Sequence, residues 1–142
     1  MKWGRFRAWI NRFRPGTPSV ADHLALGVQG ERLAERYLRK RGYRILHRNY
    51  RLGDDEADLI ARDPNSSALV IVEVKTRRSD ASDPSEHVSP KKQFRLARLA
   101  ARLLQQPAHR NASIRFDVVA VTLPDDGELR IQHWPGAFDA PF

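Results

Sequence analysis

The spacing of apolar residues changes along the chain, and each change predicts a different element. Residues 22–41 carry apolar side chains at helical spacing. Asp22 is the expected N-cap, Arg39, Lys40 and Arg41 suit the negative end of the helix dipole, and Gly42 closes the helix. Three apolar-rich segments follow at 43–51, 56–62 and 68–76, the last dominated by β-branched residues, with a turn at 63–67; they predict a three-stranded meander. The polar stretch 76–88, punctuated by Asp80, Asp83 and Pro84, is expected to be a mobile loop. Ser89 as N-cap and Pro90 at the first helical position then open a second helix to about residue 106, whose apolar stripe is Leu96, Leu99, Ala100 and Leu103. A strongly apolar strand at 115–122 and a short edge strand at 128–133 complete the pattern. Strands on both sides of a helix imply an α/β domain with a central mixed sheet flanked by helices. The Pro15-Gly16-Thr17-Pro18 breaker divides a basic N-terminal extension, residues 1–20, from a single domain over 21–142.

Side chains alternate across a strand, so Leu69, Ile71, Glu73 and Lys75 share one face of the third strand. In the second strand Glu56, Asp58 and Ile60 share a face. A tight hairpin centred between Asn65 and Ser66 sets Ile60 against Ile71, Leu59 against Val72 and Asp58 against Glu73. Two facing carboxylates repel unless something positive lies between them. A divalent cation, Mg²⁺ or Mn²⁺, is the expected occupant, because these ions take one or two carboxylates together with waters and phosphate oxygens. Asp58 and Glu73 are the candidate metal ligands, with a backbone carbonyl near Val74 available to join them. Lys75 is placed to orient the attacking water or to stabilise phosphate charge. A Glu-x-Lys pair alone usually marks a solvated strand end; here the apolar run leading directly into Glu73 argues for a half-buried site instead.

On the first helix, Glu31 falls between Leu24 and Leu38 on a stripe that includes Gly27 and Ala34, and is expected to face the sheet as a further acidic contributor. A salt bridge to a nearby arginine is the alternative. Gly27 and Gly30 would let the helix approach closely. On the second helix, Lys92 and Gln93 lie in the first turn within expected reach of a phosphate, and Lys92 and Arg95 are the candidate nucleic-acid contacts, although a solvated charged face explains them equally well. The five histidines show no ligand spacing.

Composition narrows the partners. Among 142 residues, 25 Lys and Arg against 17 Asp and Glu leave a formal charge of +8, which favours a polyanion and above all nucleic acid. The chain has no cysteine, so disulfides, thiolate nucleophiles and cysteine-based zinc sites are excluded. Trp3, Phe6, Trp9 and Phe13 alternate with Arg5, Arg7, Arg12 and Arg14 in the extension, without the apolar run of a secretory signal. No membrane span and a cytoplasmic location are expected.

Four motifs in order, Gly27-Val28-Gln29-Gly30-Glu31-Arg32-Leu33-Ala34, Arg48-Asn49-Tyr50-Arg51, Glu56-Ala57-Asp58-Leu59-Ile60-Ala61 and Val72-Glu73-Val74-Lys75-Thr76-Arg77, resemble the YraN-like family, one of the numbered uncharacterised bacterial families. Arg115-Phe116-Asp117-Val118-Val119 is similar to its closing motif. That family is similar to restriction-endonuclease-like nucleases and to archaeal Holliday junction resolvases. The resemblance therefore implies that fold, a metal-dependent phosphodiesterase site at Glu31, Asp58, Glu73 and Lys75, DNA rather than RNA as the partner, branched DNA included, and a homodimer as one arrangement that would allow paired cuts. One departure stands out. The family's Glu-x-Asp motif usually follows a glycine, whereas Asp54 and Asp55 separate Gly53 from Glu56, which predicts a longer turn.

Overall fold

The computed structural model describes residues 19–79 and 88–140. The basic extension up to residue 18 and most of the expected loop at 76–88 lie outside the described residues. Helix α1 (Val20–Lys40) leads into strands β1 (Arg44–Leu52), β2 (Asp55–Arg62) and β3 (Leu69–Arg77). Helix α2 (Pro90–Leu104), a 3₁₀ turn at Pro107–His109, and strands β4 (Ile114–Thr122) and β5 (Arg130–Phe138) follow. The five strands lie in sequence order in one sheet. Three of the four pairings are antiparallel; β3 and β4 are parallel, joined through α2. The result is the expected α/β arrangement, a mixed sheet with two helices, compatible with a restriction-endonuclease-like fold.

Each helix builds its own core. Leu26, Leu33, Ala34 and Leu38 of α1 pack with Leu59, Val70, Val72, Val119 and Val121. Leu96, Leu99, Ala100 and Leu103 of α2 pack with Ile60, Leu69, Ile71 and Phe116. Strand alternation puts these two sets on opposite faces of the sheet. Each fully buried leucine or valine contributes about 1.5–3 kcal/mol. An exposed ion pair such as Arg51 with Glu56, at 3.3 Å, contributes about 1 kcal/mol or less, so apolar packing holds the layers together.

Several expectations change in detail. The N-cap of α1 is Ser19, and Asp22 occupies the third helical position, closing a capping box in which each side chain bonds the other's backbone N–H. The buried stripe of α1 is rotated from the expected one. Leu24 is 66% exposed and a Cβ at Gly27 would touch nothing, because the packed face is Leu26, Gly30, Leu33, Ala34 and Leu38. The β1–β2 loop is not lengthened: Leu52 pairs with Asp55, leaving the two-residue loop Gly53–Asp54 with Gly53 at φ +60°. Asp55 is instead the first residue of β2, buried and held by Arg98 of α2 in a two-pronged ion pair at 2.6 and 2.7 Å. β5 runs on through Pro135 and Gly136. A register shift opposite Phe116 and Val118 and a positive φ at Gly136 absorb the proline, which an edge strand tolerates because its N–H is not needed by a second neighbour.

That irregularity has a buried partner. The Gly136 N–H donates to Asp117 Oδ1 at 3.0 Å, Arg115 donates to both Asp117 oxygens at 2.8 Å, and His133 Nε2 lies 2.7 Å from Asp117 Oδ2. Arg115 also bonds Tyr43 and Asp63, and Asp63 in turn accepts the backbone N–H groups of Asn65 and Ser66 in the β2–β3 loop. Asp117 is fully buried. Burial alone would raise its pKa, but the Arg115, His133 and Gly136 bonds hold it below the ordinary carboxylate range. The network ties the start of β4 to β5 on one side and to the β2–β3 loop on the other, so the closing motif and His133 are architectural.

Candidate active site

The site forms where two strands part. β2 pairs with β3 from Arg62↔Leu69 to Leu59↔Val72, the register expected from the hairpin, and the ladder then stops. From there β2 continues with β1, as Tyr50↔Ala57 to Leu52↔Asp55, while β3 continues with β4 to Arg77↔Thr122. Asp58 and Glu73 occupy the fork, at the next position beyond the last β2–β3 pair. There a side chain replaces the main chain: Val74 N–H donates to Asp58 Oδ2 at 2.7 Å.

The strand turns over at the same point. Ala57 packs in the α2 core and Leu59 in the α1 core, although residues two apart on a flat strand share a face. Directly across from Asp58 on β1, between the pairs Arg48↔Leu59 and Tyr50↔Ala57, lies Asn49 with φ +46°. This left-handed conformation is one that asparagine tolerates better than most residues, and it marks strain of the kind that collects at working sites.

The electrostatics of the fork are those of crowded acids. Glu73 is only 7% exposed, and its Oε1 is buried with no hydrogen-bond partner. Lys75 Nζ stands 3.6 Å from Glu73 Oε2 and Lys92 Nζ 3.8 Å from Oε1, near enough for charge compensation but too far for direct hydrogen bonds. Burial, then the charge of Glu73, push Asp58 up to about 7 against the lowering effect of the Val74 bond. Glu31 is likewise pushed up to about 7, by burial and by the charges of Asp58 and Glu56.

The fork thus brings Asp58, Glu73 and Lys75 together as expected and adds Lys92 from across the cleft. Glu31 stands close enough to feel Asp58, but it lines a groove between α1 and β1 with Arg32, Arg36, Arg48 and Asn49. Among the described residues, no group of three or more His, Asp or Glu side chains is arranged to hold a metal. Gln93 does not face the site; its amide donates to the Val88 carbonyl at 2.9 Å. Arg95 is exposed, and its charge acts on Asp55. Sequence reasoning passed over Asn49, whose only signal was its place in the Arg48-Asn49-Tyr50-Arg51 motif.

The model of Uncharacterised protein family UPF0102 matches residues 30–121. The chain belongs to this family. A UPF0102 protein of Pelobacter propionicus is 37% identical over 90% of this chain and 92% of its own. Another, from Anaeromyxobacter dehalogenans, is 47% identical over 81% of this chain and 84% of its own. A solved structure of Pyrococcus furiosus SfsA in complex with Ca²⁺ aligns with a TM-score of 0.36 and 19% identity, covering 78% of this chain and 63% of that one. The UPF0102 match begins at Gly30, where α1 rests on the sheet.

A Cβ at Gly30 would lie 1.7 Å from Thr76 Oγ1, so only glycine lets α1 sit this close to β3 and carry Glu31 toward the fork. Gly30→Ala should therefore destabilise the fold by about 1–3 kcal/mol in denaturant unfolding. Adding Thr76→Ala should restore only part of that, because the residue 76 Cβ would still be 2.7 Å away. An unchanged unfolding midpoint in Gly30→Ala would mean that α1 does not depend on this contact.

Proposed function

We propose that this UPF0102 protein is a metal-dependent endonuclease that hydrolyses phosphodiester bonds of DNA, with branched DNA among its substrates. The observation that carries the reading is Glu73 Oε1, a buried carboxylate oxygen without a hydrogen-bond partner; its carboxylate lies beside that of Asp58, with Lys92 near Oε1 and Lys75 near Oε2. Native proteins rarely leave such an atom unsatisfied unless a ligand completes the site.

The donor set fits a hard divalent cation. Asp58 and Glu73 would hold Mg²⁺ or Mn²⁺, leaving the remaining positions to water and phosphate. When bound, such an ion neutralises phosphate charge and lowers the pKa of a coordinated water. The protein's own residues have separable roles. The Val74 N–H fixes the Asp58 carboxyl. Lys75, beside Glu73, orients the attacking water or meets charge developing on the phosphate. Lys92 lies in the first turn of α2, where no acidic residue is present and a positive side chain opposes the helix dipole. A lysine that breaks this local preference while facing a buried carboxylate makes the helix start a positive site for the scissile phosphate.

A second reading, a nucleic-acid-binding module that keeps the acids but does not cut, is favoured by the absence of a three-ligand cluster among the described residues. Calorimetric titration of Mn²⁺ into the wild type and Glu73→Gln, followed by incubation with branched and linear DNA, separates the two. The nuclease reading expects binding and metal-dependent products in the wild type and neither in the variant. Salt-sensitive DNA binding with no metal uptake and no product would establish the second reading instead.

A further inference from the structure

A groove of about 660 Å³ runs between α1 and β1, lined by Arg32, Arg36, Arg39 and Arg48 and ending at Glu31 and Asn49. Its charge is organised. Glu35 takes Arg48 in a two-pronged pair, with Nη2 to Oε2 at 2.6 Å, and holds Arg39 Nε at 3.1 Å. Among the described residues Arg32 and Arg36 enter no ion pair, and both are exposed. They stand one helical turn apart, about 6 Å along the axis, on the scale of the interval between neighbouring phosphates of one strand. The groove reaches the fork, since Asn49 lies across from Asp58 in the β1–β2 register.

We propose that this groove is the track for the sugar-phosphate backbone of a nucleic-acid strand leading into the carboxylate fork, with Arg32 and Arg36 on successive phosphates. The inference rests on the nuclease-site reading and adds to it where the substrate lies: along α1 and β1, away from Arg95 on α2. Four guanidiniums face two carboxylates in the groove, so its charge suits a polyanion. Glu35 restrains two of those guanidiniums and sets the affinity below what the arginines alone would give. Its ion pairs also hold Arg48 and Arg39 in place, and pre-positioned guanidiniums lose less entropy on meeting a phosphate.

Fluorescence anisotropy of the full chain with labelled single-stranded and branched DNA, in EDTA and over a range of salt, tests this without cleavage. The double variant Arg32→Ala/Arg36→Ala should bind about tenfold or more weakly. Its salt dependence should fall by about 0.7–0.9 per lost contact. Glu35→Gln should bind more tightly at low salt. RNA of the same length should lose affinity in the double variant by a similar factor, since phosphates are the contact. Wild-type affinity and salt slope in the double variant, alongside DNA binding by the wild type, would overturn the groove and leave the nuclease reading standing. Absence of DNA binding by the wild type at low salt would overturn both.

Discussion

Asp58→Asn is expected to lower DNA cleavage by about 10³-fold or more while raising the melting temperature of the metal-free protein at pH 8. The two effects share a cause. Asp58 sits half-buried beside Glu73, and burial together with the Glu73 charge disfavours its charged form and pushes it up to about 7. Glu31, also near 7, behaves in the same way. Between about pH 5 and 7 these two acids hold protons in the folded protein that they have lost in the unfolded chain, so their contribution to stability falls as pH rises. His109, lowered by burial, acts in the opposite sense near its own titration range. The carboxylates held low, Asp22, Glu35, Asp55, Asp63 and Asp117, oppose the two acids mainly below about pH 5, and above it the two acids outweigh His109, so the metal-free wild type should melt lower at pH 8 than at pH 5. The substituted amide keeps an oxygen for the Val74 N–H but carries no charge to bury, so the pH-dependent loss should shrink. Melting curves at both pH values and a cleavage time course check the pair of effects. Cleavage at the wild-type rate in the variant would remove Asp58 from the mechanism. Equal wild-type melting at pH 5 and pH 8 would show that the fork does not strain the fold.

Asp117→Asn should destabilise the fold by about 3–5 kcal/mol, because it leaves the Arg115 guanidinium and His133 facing a neutral amide at a buried position. Two of the four bonds that Asp117 accepts come from Arg115, which also secures Tyr43 and the Asp63 loop. Chemical denaturation of Asp117→Asn, Arg115→Met and the double variant measures the coupling. The double variant should be less damaged than the sum of the singles, since it removes the charges together. Strict additivity would show that the two residues act independently. DNA binding by whatever fraction remains folded should be unchanged, which separates this network from the fork.

These contrasts explain which residues were legible in advance. Asp58, Glu73 and Lys75 could be read because strand alternation and a short hairpin fix both face and register over a few residues, and Ile60↔Ile71 and Leu59↔Val72 follow that register. Glu31 was expected near them, and it stands close enough to feel Asp58; of the two glycines expected to let the helix approach, Gly30 does so and Gly27 does not, because the Leu24–Gly27 side of the helix faces away from the sheet. Ser19 replaced Asp22 as the cap because either residue can accept the first free N–H groups, and only the path of the chain decides which stands outside the helix. The end of β5 was missed because Pro-Gly normally marks a turn; here Asp117 takes the Gly136 N–H, and the strand continues. Lys92 was read as a phosphate contact from its place in the helix, but nothing local placed it beside Glu73.

By itself the sequence determined the α/β class, the order of the elements, the apolar face of the second helix and the acids on β2 and β3, because those follow from side-chain period and from contacts between neighbouring segments. Tertiary structure decided the rest. It parted β2 from β3 at Asp58, turned the strand over opposite Asn49, brought Lys92 to Glu73 and buried Asp117 beneath Arg115 and His133. Each of these joins residues from different elements, and their energies depend on burial and on charges that no local pattern encodes.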